Sequence, residues 1–185
     1  DPLKDISSHL AGHSFPETGL RLITHLDYRL YDGRDAHLPV LQELPDALTT
    51  ITWDTWLAMN PNTMKRLGAK RNQVFQVETD AGSMKVAVYP LPGLHPDVVV
   101  IPRGNGHEDQ RRTISNQNGQ NPLKLVPYKV DPLTQEPVTS GIPVKLTLTK
   151  DGYRLAAVQK QNDIANRKDI IKKHSVTEVP HLKSI

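Results

Sequence analysis

The chain of 185 residues contains no cysteine. This absence excludes disulfide-stapled folds, thiol enzymes, and zinc or iron–sulfur sites built on cysteine within these residues. Long hydrophobic runs are also missing, and a transmembrane helix needs about 20 consecutive apolar residues. The chain opens on Asp1-Pro2 without a basic and then apolar leader. We therefore expect no signal peptide and no direct insertion into a membrane.

Aromatic residues and net charge are scarce as well. Two Phe, two Trp and a hydrophobic fraction of 37% stand beside 15 prolines, which predicts a loop-rich chain around one modest core. The 23 Lys and Arg nearly balance the 20 Asp and Glu, leaving a formal charge of +3. The cations are spread along the chain, whereas a nucleic-acid surface concentrates them in a stripe. We expect no nucleic-acid partner.

No motif for catalysis or for a metal ion stands out. The sequence has neither a Gly-x-Ser-x-Gly elbow nor a His-Glu-x-x-His pair. His9 and His13 are four residues apart, and His107-Glu108-Asp109 places three polar groups together, but both lie in polar, glycine-containing surroundings. The sequence therefore predicts no catalytic residue and no metal site.

Hydrophobic periodicity divides the chain into three segments. Residues 1–48 look irregular, with one strand near residues 19–24. Residues 49–149 carry short strands at 73–79, 84–89, 98–102, 124–127 and 144–148, with no alternation of strands and long helices. This pattern favours a closed or half-closed β barrel. The core is expected to include most of Val74, Val77, Val86, Val88, Val99, Ile101, Leu146 and Leu148.

Residues 150–185 differ in composition from the rest of the chain. They hold eight Lys or Arg and four Asp or Glu, a balance of +4. Their apolar residues are too sparse for a second core. We interpret them as a basic linker or tail that packs on a neighbouring domain or subunit, with a short helix over residues 164–173.

Residues 56–68 predict a strand followed by a short capped helix. A strand over 56–59 is followed by Asn60 as a helix cap, Pro61 at the first helical position, and Gly68 as the stop. With the Asn121-Pro122-Leu123 step and the Asp131–Thr134 turn, this order resembles the C-terminal dinucleotide-binding domain of the molybdopterin oxidoreductase family. The resemblance implies a mainly β fold with short helices, a double-psi β barrel, followed here by an extended C-terminal tail.

The resemblance also implies which residues would contact a molybdopterin guanine dinucleotide, if one is bound. They lie on three loops and are Thr24, His25, Gly104, Asn105, Gly106, His107, Asn116, Gln117 and Asn121. The sequence departs from the family at the first loop, where Thr24-His25-Leu26 replaces Thr-Gly-Arg. The cation that would meet a phosphate is absent there, although Arg103, Arg111 and Arg112 could supply one.

A narrower resemblance is carried by Leu41-Gln42-Glu43-Leu44-Pro45-Asp46 and by Thr52-Trp53-Asp54. Both runs are similar to the large iron–sulfur subunit of bacterial alternative complex III, a quinol-oxidising membrane complex. This resemblance implies a structural barrel without a cofactor of its own, and iron–sulfur clusters in other parts of the parent protein. It implies other domains or subunits of the complex as partners, at the periplasmic face of the inner membrane, with a cytoplasmic location as the alternative.

Two other interpretations stay open from the sequence. The domain could be the dinucleotide-binding lid of an active molybdenum or tungsten oxidoreductase, of the polysulfide reductase or formate dehydrogenase type. It could also be a stand-alone barrel that binds a partner protein. His25-Leu26, in place of Gly-Arg, favours the structural domain over the lid.

Overall fold

A computed structural model describes residues 19–108, 118–132 and 134–158. They form a closed barrel with the strand order β1-β5-β2-β4-β3-β6. The strands are β1 (Leu20–His25), β2 (Trp56–Met59), β3 (Gln73–Thr79), β4 (Gly82–Pro90), β5 (Val98–Pro102) and β6 (Ile142–Gly152). Two short α-helices, α1 (Pro39–Glu43) and α2 (Pro61–Arg66), and a 3-10 turn (Pro122–Leu125) complete the architecture. The predicted mainly β barrel with short helices is confirmed.

Two of the strand pairs are parallel and the rest are antiparallel. β1 runs parallel to β5, with Leu22 opposite Val99 and Thr24 opposite Ile101. β2 runs parallel to β4. Because parallel neighbours end at the same edge, the carboxyl ends of β1 and β5 lie side by side. The loops that follow these two strands are therefore neighbours.

The turn from β2 into α2 follows the predicted local logic. The Asn60 side chain accepts a hydrogen bond from the Asn62 amide at 2.8 Å and donates one to the Leu94 carbonyl at 2.6 Å. Pro61 occupies the first turn of the helix. Gly68 has a φ of 67°, the left-handed conformation that glycine adopts at low cost. The prediction for residues 56–68 is confirmed.

The barrel interior is a single hydrophobic cluster. Val77, Val86, Val88, Val99 and Ile101 belong to it as predicted, and Leu146 and Leu148 pack at its edge. Val74 does not. It lies in a second cluster outside the barrel with Ile51, Trp56, Ala58, Ala87, Tyr89 and Leu155. Successive strand residues point to opposite faces, so Phe75 and Val77 share the inner face of β3 and Val74 takes the outer one.

One predicted strand is wrong and another is longer than predicted. Residues 124–127 form no strand, because the Asn121 side chain accepts from the Leu123 amide at 3.0 Å and starts the 3-10 turn instead. β6 runs to Gly152, past the expected segment boundary at residue 149. The division into three segments stays a prediction. The predicted helix over residues 164–173 lies outside the described residues.

The described chain beyond β6 is fastened to the segment before β2. The Tyr153 hydroxyl donates to Asp54 Oδ1 and the Ala156 amide to Asp54 Oδ2, both at 2.7 Å. The Thr52 amide donates to the Ala156 carbonyl at 2.9 Å. Leu155 is buried in the second cluster between these contacts. Asp54 is thus the anchor of an exit clasp formed by residues 153–158. Within the described residues, no helix has the length and apolar character to span a membrane.

The clasp predicts a stability change at alkaline pH. The hydrogen bond to Asp54, together with burial, raises the pKa of Tyr153 to about 12. Because the folded protein holds this proton more tightly than the unfolded chain does, the protonated phenol stabilises the fold. Its contribution to the unfolding free energy is complete below the ordinary tyrosine pKa of about 10 and is lost as the pH rises toward 12. We expect the unfolding free energy, measured by urea titration, to fall more steeply between pH values of about 10 and 12 in the wild type than in Tyr153→Phe. Tyr128→Phe, at a fully exposed tyrosine, should keep the wild-type slope. Equal slopes for wild type and Tyr153→Phe would contradict the role of the clasp.

Candidate functional site

Three loops meet at the end of the barrel where β1 and β5 finish. The Arg103 amide donates to the His25 carbonyl at 2.8 Å, and the Gly106 amide donates to the Asn118 carbonyl at 3.0 Å. A Cβ at Gly106, which has a φ of 78°, would overlap the backbone of Gln120 and Asn121. We call this region, comprising His25, residues 103–107 and residues 118–121, the barrel end. It unites the predicted loops, while Asn116 and Gln117 lie outside the described residues.

The first predicted loop presents one side chain to solvent and one to the protein. Thr24 is buried, and its hydroxyl donates to the Thr139 carbonyl at 3.2 Å. His25 is exposed, with Nδ1 at 2.8 Å from the Leu26 carbonyl oxygen. Thr24 therefore joins β1 to the strand-free segment before β6. Its predicted role toward a cofactor stays a prediction.

Asn105 has a structural role that the sequence did not reveal. Its side chain is buried and donates to the carbonyls of Asp54 and Trp53, at 3.2 and 3.4 Å. Its Oδ1 accepts from Gln42 Nε2 at 3.0 Å, and Gln42 Nε2 also donates to the Ala36 carbonyl at 3.0 Å. The amide of Asn105 is therefore fully engaged. Gln42 was visible in the sequence only as part of the motif over residues 41–46.

Glycines allow residues 30–33 to lie close to the second loop. A Cβ on Gly104 would approach Leu30 Cβ to 2.8 Å, and a Cβ on Gly33 would overlap the His107 imidazole. His107 Nε2 lies 3.0 Å from the Gly104 carbonyl oxygen. Residues 27–54 thus pack directly against the barrel end. We call them the covering segment.

A buried ion pair holds the covering segment in place. Arg29 and Asp27 are both almost fully buried, with Nη2 at 2.6 Å from Oδ2 and Nε at 3.0 Å from Oδ1. Arg29 Nη1 donates to the carbonyls of Leu44 and Ile51, at 2.7 and 3.1 Å, and the guanidinium lies 5.8 Å from the centre of the Trp56 ring. Sequence reasoning missed this pair, whose only signal is an Asp-x-Arg spacing after the first strand.

Two buried polar atoms at the barrel end have no hydrogen-bond partner among the described residues. They are Gln42 Oε1 and Arg103 Nε. Arg103 is half-buried and is the cation nearest to the first loop in the β1–β5 pairing. Its guanidinium is the one permanent cation among the described residues of the barrel end, and it has the chemistry to meet a phosphate. Within the described residues, no group of three or more His, Cys, Asp or Glu side chains could hold a metal ion.

Several of the side chains predicted to contact a dinucleotide form hydrogen bonds within the protein, and their role toward a cofactor stays a prediction. The side chains of Thr24 and Asn105 form hydrogen bonds within the protein, and the Asn121 side chain caps the 3-10 turn. Gly104 is covered by Leu30. Of the described side chains predicted to bind, His25, His107 and Asn121 keep solvent contact, and none of them supplies a permanent positive charge.

The protein is a closed β barrel with both parallel and antiparallel strand pairs. Its candidate site is formed by the loops that follow the parallel strands β1 and β5. Residues 47–143 match the family profile described as "Molydopterin dinucleotide binding domain". The match spans more than half of the chain, and the chain belongs to this family. It is therefore a molybdopterin-dinucleotide-binding domain of a molybdoenzyme-like protein, and the resemblance to the molybdopterin oxidoreductases is confirmed.

Two known proteins that are similar to this chain are much longer than it. The chain is 25% identical over 112 residues to the thiosulfate reductase molybdopterin-containing subunit PhsA of Salmonella typhimurium, covering 60% of this chain and 14% of that protein. Acetylene hydratase from Pelobacter acetylenicus superposes with a TM-score of 0.54 at 18% identity, covering 77% of this chain and 19% of that one. The second likeness shows the fold alone. The chain spans less than a fifth of either relative.

Proposed function

We propose that this barrel is a non-catalytic structural domain of a molybdoenzyme-like iron–sulfur subunit, in a membrane-associated, quinol-oxidising complex of the alternative complex III type. In this proposal the domain holds no pterin of its own. The observation that carries it is the closed barrel end, where the covering segment contacts Gly104, Asn105 and His107, three of the residues that the family resemblance assigns to a dinucleotide. The Gln42–Asn105 hydrogen bond is the centre of that closure.

Opening the barrel end for a ligand would be costly. Moving the covering segment would break the hydrogen bonds of Asn105 to Gln42 and Asp54, and a buried hydrogen bond contributes about 0.5–1.5 kcal/mol. The Asp27–Arg29 pair lies within the segment and would move with it, but the Arg29 guanidinium would leave the Trp56 ring, whose centre lies 5.8 Å away. A bound dinucleotide would have to offset these losses with contacts from side chains that are already engaged.

The residues that carry the narrower resemblance also build the closure. Gln42 comes from the run over residues 41–46 and bonds to Asn105. Asp54 comes from the Thr-Trp-Asp run, accepts from Asn105 through its carbonyl, and anchors the exit clasp. This coincidence supports an alternative complex III type of subunit over a general molybdoenzyme lid. Electrons would then pass through iron–sulfur clusters in other parts of the parent protein.

The proposed setting follows from the same resemblance. The partners are other domains or subunits of the membrane redox complex, with no nucleic acid and no direct insertion of this domain into the bilayer. The proposed location is the periplasmic face of the inner membrane, as a peripheral part of the complex. A cytoplasmic location is the alternative.

A second candidate function is the molybdopterin-guanine-dinucleotide-binding lid of an active molybdenum or tungsten oxidoreductase. The family assignment favours it, as does Arg103 Nε, which has no hydrogen-bond partner in the described part of the chain. A guanidinium forms charge-assisted hydrogen bonds to phosphate, and Arg103 would then replace the cation that the first loop lacks. The two functions make opposite predictions for Arg103.

Quinol oxidation by isolated membranes tests the proposal. Deleting the gene for the full-length protein should abolish the activity, and the wild-type gene should restore it. The Arg103→Met variant should restore it to within about twofold of wild type, since it removes no catalytic contact. Membranes that oxidise quinol equally well without the protein would contradict the proposed complex. Failure of Arg103→Met despite normal abundance of the protein would favour the dinucleotide-binding lid.

A further inference from the structure

One segment carries most of the exposed apolar side chains of the described chain. Seven of the twelve large hydrophobic residues with high exposure fall between residues 26 and 48. They are Leu26, Tyr28, Tyr31, Leu38, Val40, Leu44 and Leu48. Tyr28 and Tyr31 are 61% and 55% exposed, and Val40 is 70% exposed. We call these seven side chains the loop face. Concentration of exposed apolar groups in one place is a property of interaction sites.

The backbone beneath the loop face is fixed. The Tyr28 hydroxyl donates to the Pro45 carbonyl at 2.7 Å, which joins the two ends of the segment. Arg29 reaches the Leu44 carbonyl at 2.7 Å from the buried side. The Leu44 amide donates to the Val40 carbonyl at 3.2 Å and closes α1. A preorganised surface loses little conformational entropy when a partner binds.

Tyr31 is the best-prepared anchor on the loop face. The Arg34 guanidinium lies 5.5 Å from the centre of its ring. Arg34 is itself held by Asp32, with Nε at 3.0 Å from Oδ1 and Nη2 at 2.8 Å from Oδ2. These hydrogen bonds lower the pKa of Asp32 to about 2, so the pair stays charged near neutral pH. Tyrosine and arginine are the residue types enriched at the energetic centres of protein interfaces.

The charge around the loop face is negative. Residues 26–48 contain five carboxylates and two arginines, a formal balance of −3. Asp27 and Asp32 pair with arginines, and Asp46 accepts from the amides of Leu48 and Thr49, at 3.1 and 2.7 Å. The exposed Asp35 and Glu43 have no ion pair among the described residues. We call these two carboxylates, which share the segment of the loop face, the acidic rim.

We propose that the loop face is a docking surface for a protein partner that presents an apolar patch with a basic rim. An anionic lipid surface would repel Asp35 and Glu43, and a second copy would bring the same acidic rim against itself. A basic-rimmed protein surface satisfies both the apolar centre and the carboxylates. This inference holds whether or not the domain binds pterin.

Site-specific photo-crosslinking in the native assembly tests the docking surface. Benzoylphenylalanine replaces Val40 on the loop face, and in a control protein it replaces Tyr128, which is more accessible than Val40 and lies outside the face. We expect position 40 to crosslink to one protein surface outside residues 19–158, whose crosslinked peptide is apolar and flanked by Lys or Arg. Position 128 should not give this product. Crosslinks from position 40 to lipid, to the loop face of a second copy, or to no protein would overturn the proposal.

A charge reversal tests the acidic rim separately. The double substitution Asp35→Lys and Glu43→Lys should lower the yield of the crosslink from position 40 by about tenfold, because like charges would then face each other. Asp80→Lys is the matched control, since Asp80 is exposed in the β3–β4 turn, away from the loop face. Circular dichroism should show all variants folded. An unchanged yield in the folded double variant would overturn the basic-rim assignment.

Discussion

Replacing Arg29 with methionine is expected to lower the free energy of unfolding by about 3–5 kcal/mol, because it leaves a buried carboxylate without its counter-charge. Asp27, which is 3% exposed, would keep the backbone amide of residue 29 on Oδ1 but lose every guanidinium hydrogen bond, including those to Oδ2. The carbonyls of Leu44 and Ile51 would lose the guanidinium as a donor at the same time, while Ile51 keeps the Asp46 amide. Urea denaturation of the 185-residue chain measures the change.

The chain supplies its own control for this prediction. Asp32 and Arg34 repeat the Asp-x-Arg spacing and the two-point geometry of Asp27 and Arg29, but on an exposed surface. Arg34→Met should therefore cost at most about 1 kcal/mol, the usual upper value for an exposed pair. If Arg29→Met and Arg34→Met destabilise the protein equally, the buried pair does not hold the covering segment.

Truncation of Ile101 to alanine is expected to cost about 2–5 kcal/mol. Ile101 is fully buried in the barrel interior, where β5 is paired on both sides, with β1 and β2. The closed barrel leaves little freedom for neighbouring strands to collapse into the resulting cavity. The unfolding free energy from urea denaturation is the measurement. Val98→Ala, at a half-buried position on the same strand, should cost clearly less, and an equal cost would contradict the placement of Ile101 in the core.

Local pattern was enough to predict most of the barrel. The hairpin of β3 and β4 and the continuous apolar run of β5 follow from periodicity and turn residues within a few positions. The start of α2 at Asn60 and Pro61 could be predicted because helix capping depends on neighbours along the chain. Val74 was misassigned since a valine-rich strand with buried residues on both faces does not reveal which face is the interior.

The barrel end was less predictable because its contacts are distant in sequence. Gln42 and Asn105 are 63 residues apart, and Asp54 and Tyr153 are 99 apart. Both loops were singled out from the sequence, but the side chains of Asn105 and Asp54 turn toward the protein. No spacing rule indicates whether a loop amide will meet a ligand or another part of its own chain. The Asp27–Arg29 pair was missed for a related reason, since nothing local shows that it is buried.

The molybdenum, tungsten and pterin content of the full-length protein, purified under reducing conditions, tests the central claim most directly. The closed barrel end predicts that neither metal nor released pterin reaches stoichiometric amounts, in the wild type or in the Arg103→Met variant. Stoichiometric metal and pterin in the wild type would contradict the structural role, and their loss in Arg103→Met would assign Arg103 to the dinucleotide.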